Sequence, residues 1–119
     1  MEETTRFLEK TLGYRRKAVP ANALIETQWL DIGNGQELHV FFVAGYVTSP
    51  FEAEFGRHVA LFHPLENLPA VRKRIAEAGG ELIEPLRETP FERLFFREPI
   101  NGYVFELIDS ERHKHLVEP

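Results

Sequence analysis

The sequence predicts an α+β fold of paired β-α-β-β-β modules, the first lacking its opening strand. Two observations predict it. Helix-period and strand-period stretches follow the order helix, three strands, then strand, helix, three strands. Each helical stretch also runs into glycine, at Thr11-Leu12-Gly13-Tyr14 and at Glu77-Ala78-Gly79-Gly80. The halves thus repeat in element order, though not in sequence identity.

The elements follow in turn. Glu2 to Leu12 puts Phe7, Leu8, Thr11 and Leu12 on one side of a helix and Glu2, Glu3, Arg6, Glu9 and Lys10 mostly outside. Gly13 is a good helix stop. Tyr14 to Val19 reads as a strand with its charges toward water, ended by Pro20. Leu24 to Ile32 reads as a second strand, Gly33-Asn34-Gly35 as a turn, and Gln36 to Val43 as a third strand paired with the second. Ala44 to Gly56 carries Gly45, Pro50 and several acids and reads as a linker. Arg57 to His63 is a short apolar strand, and Leu65, Leu68, Val71, Ile75 and Ala78 make a helical stripe after Pro64. Glu81 to Leu86, Leu94 to Arg97 and Tyr103 to Ile108 complete the strands, with Asn101-Gly102 as a hairpin signal between the last two. One domain is expected over 1–119: module one at 1–43, linker 44–56, module two 57–109 and a polar tail 110–119.

Composition narrows the function classes. The chain has 119 residues, 43% of them hydrophobic, with ten phenylalanines to fill a core. A net charge of −5 argues against nucleic acid and anionic membranes as partners. There is no cysteine, so thiolate chemistry is excluded and any metal must use nitrogen and oxygen ligands. The polar, acidic start and the lack of a long apolar run predict a cytoplasmic protein with no membrane span.

Three residues carry the chemistry. His39, His58 and Glu106 each sit in an apolar, strand-like run. Burying an imidazole or a carboxylate there is costly unless something satisfies it, and one divalent metal would satisfy all three. Two histidines and a carboxylate also form the ligand set of a facial triad with open positions for substrate. The bland alternatives are a polar hairpin face for His39, a strand-edge residue for His58 and an otherwise paired acid for Glu106. Glu37, two residues from His39, is an alternative carboxylate. His63 lies on the opposite face from His58 and reads as surface. His113 and His115 form a His-x-His pair in the tail, and Arg15-Arg16-Lys17 could meet an anionic substrate, but solvated positions suit both better. Trp29, Phe41, Phe62 and Phe95 could line an apolar pocket or simply pack the core. No nucleophile elbow, phosphate loop or dinucleotide fingerprint is present.

Four stretches carry a family resemblance: Phe7-Leu8-Glu9-Lys10-Thr11-Leu12-Gly13-Tyr14, the Gly33 to Phe41 hairpin, Arg57-His58-Val59-Ala60-Leu61, and Arg97 through Leu107. In order and spacing the chain resembles the vicinal-oxygen-chelate superfamily. That group includes glyoxalase I, bleomycin-resistance and fosfomycin-resistance proteins, methylmalonyl-CoA epimerase and extradiol dioxygenases. The resemblance implies a cupped mixed sheet around a metal, with ligands from the first and fourth strands of each module. His39 matches the last strand of module one, His58 the first strand of module two and Glu106 its last. The family's opening strand would precede Met1, so either the start was taken at an internal Met or the protein works without that strand.

The implied activity is that of a divalent-metal enzyme, an isomerase, lyase or dioxygenase, acting on a small molecule with adjacent oxygens. Iron would suit dioxygen chemistry, and nickel, zinc, cobalt or manganese would suit isomerisation. The relatives' iron triad uses the opening strand rather than the position of His39. Glu106 is the expected catalytic residue, alternating between ligand and base. The competing expectation is a metal-free binding protein of the bleomycin-resistance type that sequesters a small hydrophobic ligand. A homodimer is expected as well, since a three-stranded module leaves a sheet edge unpaired and relatives commonly pair modules between chains.

Overall fold

The computed structural model describes residues 1–110. Two units are distinguished, one over 1–47 and the other from Thr48 onward.

The first unit is built on the amphipathic helix α1 (Glu2–Leu12), which buries Thr4, Thr5, Phe7, Leu8, Thr11 and Leu12. Its acidic first turn, Glu2 and Glu3, suits the positive end of the helix dipole. At the other end Gly13 adopts φ 72° and donates its N–H to the Glu9 carbonyl. That left-handed conformation is why glycine stands there. Three antiparallel strands follow, β1 (Arg15–Lys17), β2 (Thr27–Gly33) and β3 (Gln36–Phe41), in the order β1-β2-β3. The β2–β3 turn holds Gly33, Asn34 and Gly35 at positive φ, with the Gly33 N–H donating to Asp31 Oδ1 at 2.9 Å.

Side-chain alternation then sorts the sheet. Leu30 is fully buried, and Gln28 on the same face donates to Glu2 of α1 at 2.6 Å. Trp29, Glu37 and His39 therefore occupy the face turned away from α1.

In the second unit, β4 (Val59–His63) leads to α2 (Leu68–Glu77), then β5 (Glu81–Ile83), β6 (Arg93–Arg97) and β7 (Val104–Asp109). The strand order is β4-β7-β6-β5, with β4 parallel to β7 and the other pairs antiparallel. Leu94, Phe96, Phe105 and Leu107 share one buried, wholly apolar face, which suits the buried Val71 and Ile75 of α2. The opposite face carries Ala60, Arg93, Phe95 and Glu106. The β6–β7 turn winds around the buried Glu98 carboxylate, which accepts the N–H groups of Ile100, Asn101 and Tyr103.

Among the described residues the element order matches the expectation: two helices and seven strands, three in one sheet and four in the other. Several strands are shorter than their apolar runs. Leu24 and Ile25 are exposed outside β2, and β3 stops at Phe41. The fifth strand stops at Ile83 because Pro85 has no N–H to give and the Leu86 N–H goes to Glu54 instead of a ladder. His58 precedes β4 rather than lying within it. No helix among the described residues is long and apolar enough to cross a membrane.

Candidate functional site

In the second unit, chain order and sheet pairing bring His58 and Glu106 together. Ala60 on β4 lies beside Glu106 on β7, and His58, two residues earlier, reaches the same face. His58 Nε2 stands 3.0 Å from Glu106 Oε1. The other ring nitrogen, Nδ1, is 3.0 Å from the Ala53 carbonyl oxygen. A carbonyl can only accept, so Nδ1 carries the proton. In neutral imidazole Nε2 is then a lone pair, and it faces a carboxylate oxygen. Two acceptors do not hold each other; a proton or a cation belongs between them.

The surroundings keep that place negative. Glu106 Oε2 accepts from Arg93 Nη1 at 3.0 Å, and Arg93 Nη2 reaches Glu54 Oε2 at 3.3 Å. All three side chains are nearly buried, at 4% exposed for Arg93, 8% for Glu54 and 9% for Glu106. One guanidinium thus stands between two carboxylates, which leaves that trio one net negative charge. The Leu86 amide, with Arg87 and Arg93, holds the Glu54 carboxyl below its usual range despite its burial. Phe95 floors the group: its ring meets His58 edge-on at 5.4 Å, and the Arg93 guanidinium lies 5.2 Å from its centroid. Arg93 Nε is buried without a hydrogen-bond partner.

The pair fits a metal. Two donors about 2.1 Å from one ion and at right angles lie about 3.0 Å apart, and the observed separation is 3.0 Å. A histidine ligand whose other nitrogen donates to a backbone carbonyl is the usual arrangement around bound metals. Among the described residues no group of three or more His, Asp or Glu side chains is gathered to hold an ion. The second unit by itself supplies two donors.

The first unit places His39 in different company. Its ring stacks on Trp29 at 3.9 Å between centroids and 6° between planes. Its Nε2 is 2.9 Å from Glu37 Oε2, and Glu37 Oε1 accepts from Lys17 Nζ at 2.6 Å. Lys17, then His39, hold the Glu37 carboxyl below its usual range, and Glu37 in turn raises the Lys17 ammonium. With its side chain 44% exposed, His39 is not the buried, unsatisfied imidazole that its apolar run suggested. Phe41 follows on the same strand face and is half exposed.

The remaining candidates separate. His63 is half-buried, and burial pushes its imidazole down. Phe62 is exposed on the Ala60 side of β4, two residues further along. Arg16 pairs with Glu2 and Glu9, so the basic run is largely occupied within its own unit. His113 and His115 lie outside the described residues.

Arg93 and Glu54 were not among the sequence candidates. A signal existed for the first. Arg93-Leu94-Phe95-Phe96 continues one apolar run with a cation at its start. An arginine buried there demands a carboxylate.

Comparison with known proteins agrees with this architecture. The family model described as Glyoxalase/Bleomycin resistance protein/Dioxygenase superfamily matches residues 1–107. Among curated proteins none matches the chain. Among solved structures, a variant of the fosfomycin resistance protein FosX from Listeria monocytogenes is similar over 99% of this chain and 89% of its own, at 15% identity and TM-score 0.73. That protein is complexed with Mn(II) and 1S,2S-dihydroxypropylphosphonic acid. FosX from Mesorhizobium loti matches over 99% of this chain and 89% of its own, at 16% identity and TM-score 0.68. A glyoxalase family protein from Bacillus anthracis matches over 90% and 81%, at 20% identity and TM-score 0.69.

Proposed function

Given that this chain belongs to the Glyoxalase/Bleomycin resistance protein/Dioxygenase superfamily, we propose that it is a divalent-metal enzyme. It acts on a small molecule bearing adjacent oxygens, by an isomerase, lyase or dioxygenase type of reaction. The observation that carries the reading is the facing of His58 Nε2 and Glu106 Oε1 at 3.0 Å beside a net negative charge. The Mn(II) held by the Listeria neighbour supports a divalent ion on this scaffold.

His58 and Glu106 would hold the ion. The metal would supply Lewis-acid polarisation of a substrate oxygen. Arg93 fixes Glu106 by its far oxygen, so Oε1 alone is presented. Glu106 is the group to take up a substrate proton at Oε1, and Phe95 keeps water from the back of the pair.

The test is substitution. His58→Ala should abolish uptake of Mn²⁺ or Zn²⁺ while the thermal transition stays cooperative; retained uptake would remove His58 from the site. His39→Ala in the same titration tests the ligand role that the family resemblance implies for His39. A tenfold or greater loss of affinity supports it, and an unchanged affinity dismisses it.

One observation favours a second reading. With His58 protonated, the chain His58–Glu106–Arg93–Glu54 alternates in charge and is closed without a metal. Such a network suits a metal-free protein that binds a hydrophobic ligand. Stoichiometric ligand binding by metal-depleted protein, with no turnover after metal addition, would establish that alternative. We also propose a homodimer, because among the described residues β3 pairs with β2 alone and Phe41, Phe42 and Val43 are exposed at its end.

A further inference from the structure

We infer that Glu52-Ala53-Glu54, a tripeptide outside every helix and strand, is a positioning device that sets both donors of the candidate site. The inference rests on the metal reading above and deepens it. Ala53 touches one donor directly, and Glu54 and Glu52 act through neighbouring residues.

The Ala53 carbonyl takes His58 Nδ1–H at 3.0 Å. That bond fixes both the ring orientation and the tautomer, turning the Nε2 lone pair toward Glu106. The same carbonyl accepts the Gly56 N–H at 3.2 Å, so it is held in place by its own loop. Glu54 acts on the other donor through Arg93. Its carboxylate accepts the Leu86 and Arg87 N–H groups at 2.7 and 3.3 Å and Arg93 Nη2 at 3.3 Å. The Arg87 carbonyl also takes Arg93 Nη2, at 2.6 Å. With that end anchored, Nη1 is aimed at Glu106 Oε2. Glu52 fixes the frame. Its carboxylate, 1% exposed, accepts the Val104 N–H at 3.0 Å, two residues before Glu106, and pairs with Arg57, one residue before His58.

Glu54 also tunes charge. Without it, the Arg93 cation would be offset by Glu106 alone, and the pair would lose the negative charge that attracts a metal. Groups behind metal ligands commonly change affinity tenfold to a hundredfold when removed.

The experiment is a Mn²⁺ titration of metal-depleted protein by calorimetry, comparing wild type, E54Q and E84Q. Glu84 pairs with Arg72 at the surface and serves as control. Folded E54Q should bind Mn²⁺ about tenfold to a hundredfold more weakly, with E84Q unchanged. Affinity within twofold of wild type, or an equal loss in E84Q, would overturn the inference.

A second measurement needs no variant to fold and no metal. At about pH 9, where an imidazole is neutral, ¹⁵N NMR of the wild-type histidines should show His58 as the Nδ1–H tautomer. The Nε2–H tautomer would overturn the inference. If wild type takes up no Mn²⁺ yet shows the expected tautomer, the metal reading fails and the positioning of His58 stands.

Discussion

Glu106→Gln keeps the shape of the side chain and removes its charge. The amide can present its N–H₂ to His58 Nε2, satisfying the lone pair that a cation would otherwise meet. Metal affinity should therefore fall by more than a hundredfold, read by calorimetry, while the protein stays folded. A variant that still loads metal would show that Glu106 is not a ligand. At this scale the sequence was informative in part. An acid between Val104 and Ile108 needs a partner, and it has one in Arg93. Arg93 stayed hidden because the expected strand began at Leu94, one residue late. Glu54 stayed hidden because side-chain reach between segments 39 residues apart leaves no local pattern. His39 is more exposed than its apolar flanks suggest. Its stack on Trp29 should contribute about 0.5–1.5 kcal/mol. His39→Ala should lower stability by no more than that. The emission of Trp29, the sole tryptophan, should change with it.

At the scale of elements, two joints invite tests. Glu2 binds Arg16 of β1 and Gln28 of β2, so one carboxylate ties α1 to two strands. Those bonds, Arg16 first, lower its pKa from 4.5 to about 2. A depressed folded pKa gives stability that is present above the unfolded value and lost as pH falls through the folded one. Glu2→Gln should accordingly be less stable than wild type above pH 4.5, with the difference closing as pH approaches 2. Equal stability at pH 7 would show that the exposed cluster is fully screened. The second joint is the loop that carries Ala53. A Cβ at Gly56 would stand 1.9 Å from the Phe51 carbonyl oxygen, which also takes the Arg57 N–H. Gly56→Ala must open this loop, and metal affinity should fall with it; an intact affinity would separate the loop from the site. Element identity was legible where period was strong, as in α1 and in β7. Strand lengths were not, because Leu24, Ile25, Phe42 and Val43 are apolar residues left outside any ladder. The stretch 44–56 reads as a linker for its Gly45, Pro50 and acids, and within it the buried Glu52 and Glu54 bond the strands and loop around them. Buried acids in a loop cannot be told from solvated ones by composition.

For the molecule as a whole, family membership establishes the scaffold and leaves the chemistry to the site. Among the described residues β3 pairs with β2 alone, and that sheet edge has the clearest consequence for assembly. Light scattering at micromolar concentration should give the mass of two chains, and a monomer would show that the edge is tolerated. The central claim, that His58 and Glu106 are metal donors, is tested most directly by metal analysis. The protein should be purified without an affinity tag, depleted, and dialysed against Mn²⁺, Zn²⁺ or Ni²⁺ in turn. One equivalent of ion per chain, absent from His58→Ala and Glu106→Gln, is the predicted result. Folded wild-type protein that stays empty in an excess of all three ions would contradict it and leave His58–Glu106 as an internal ion pair.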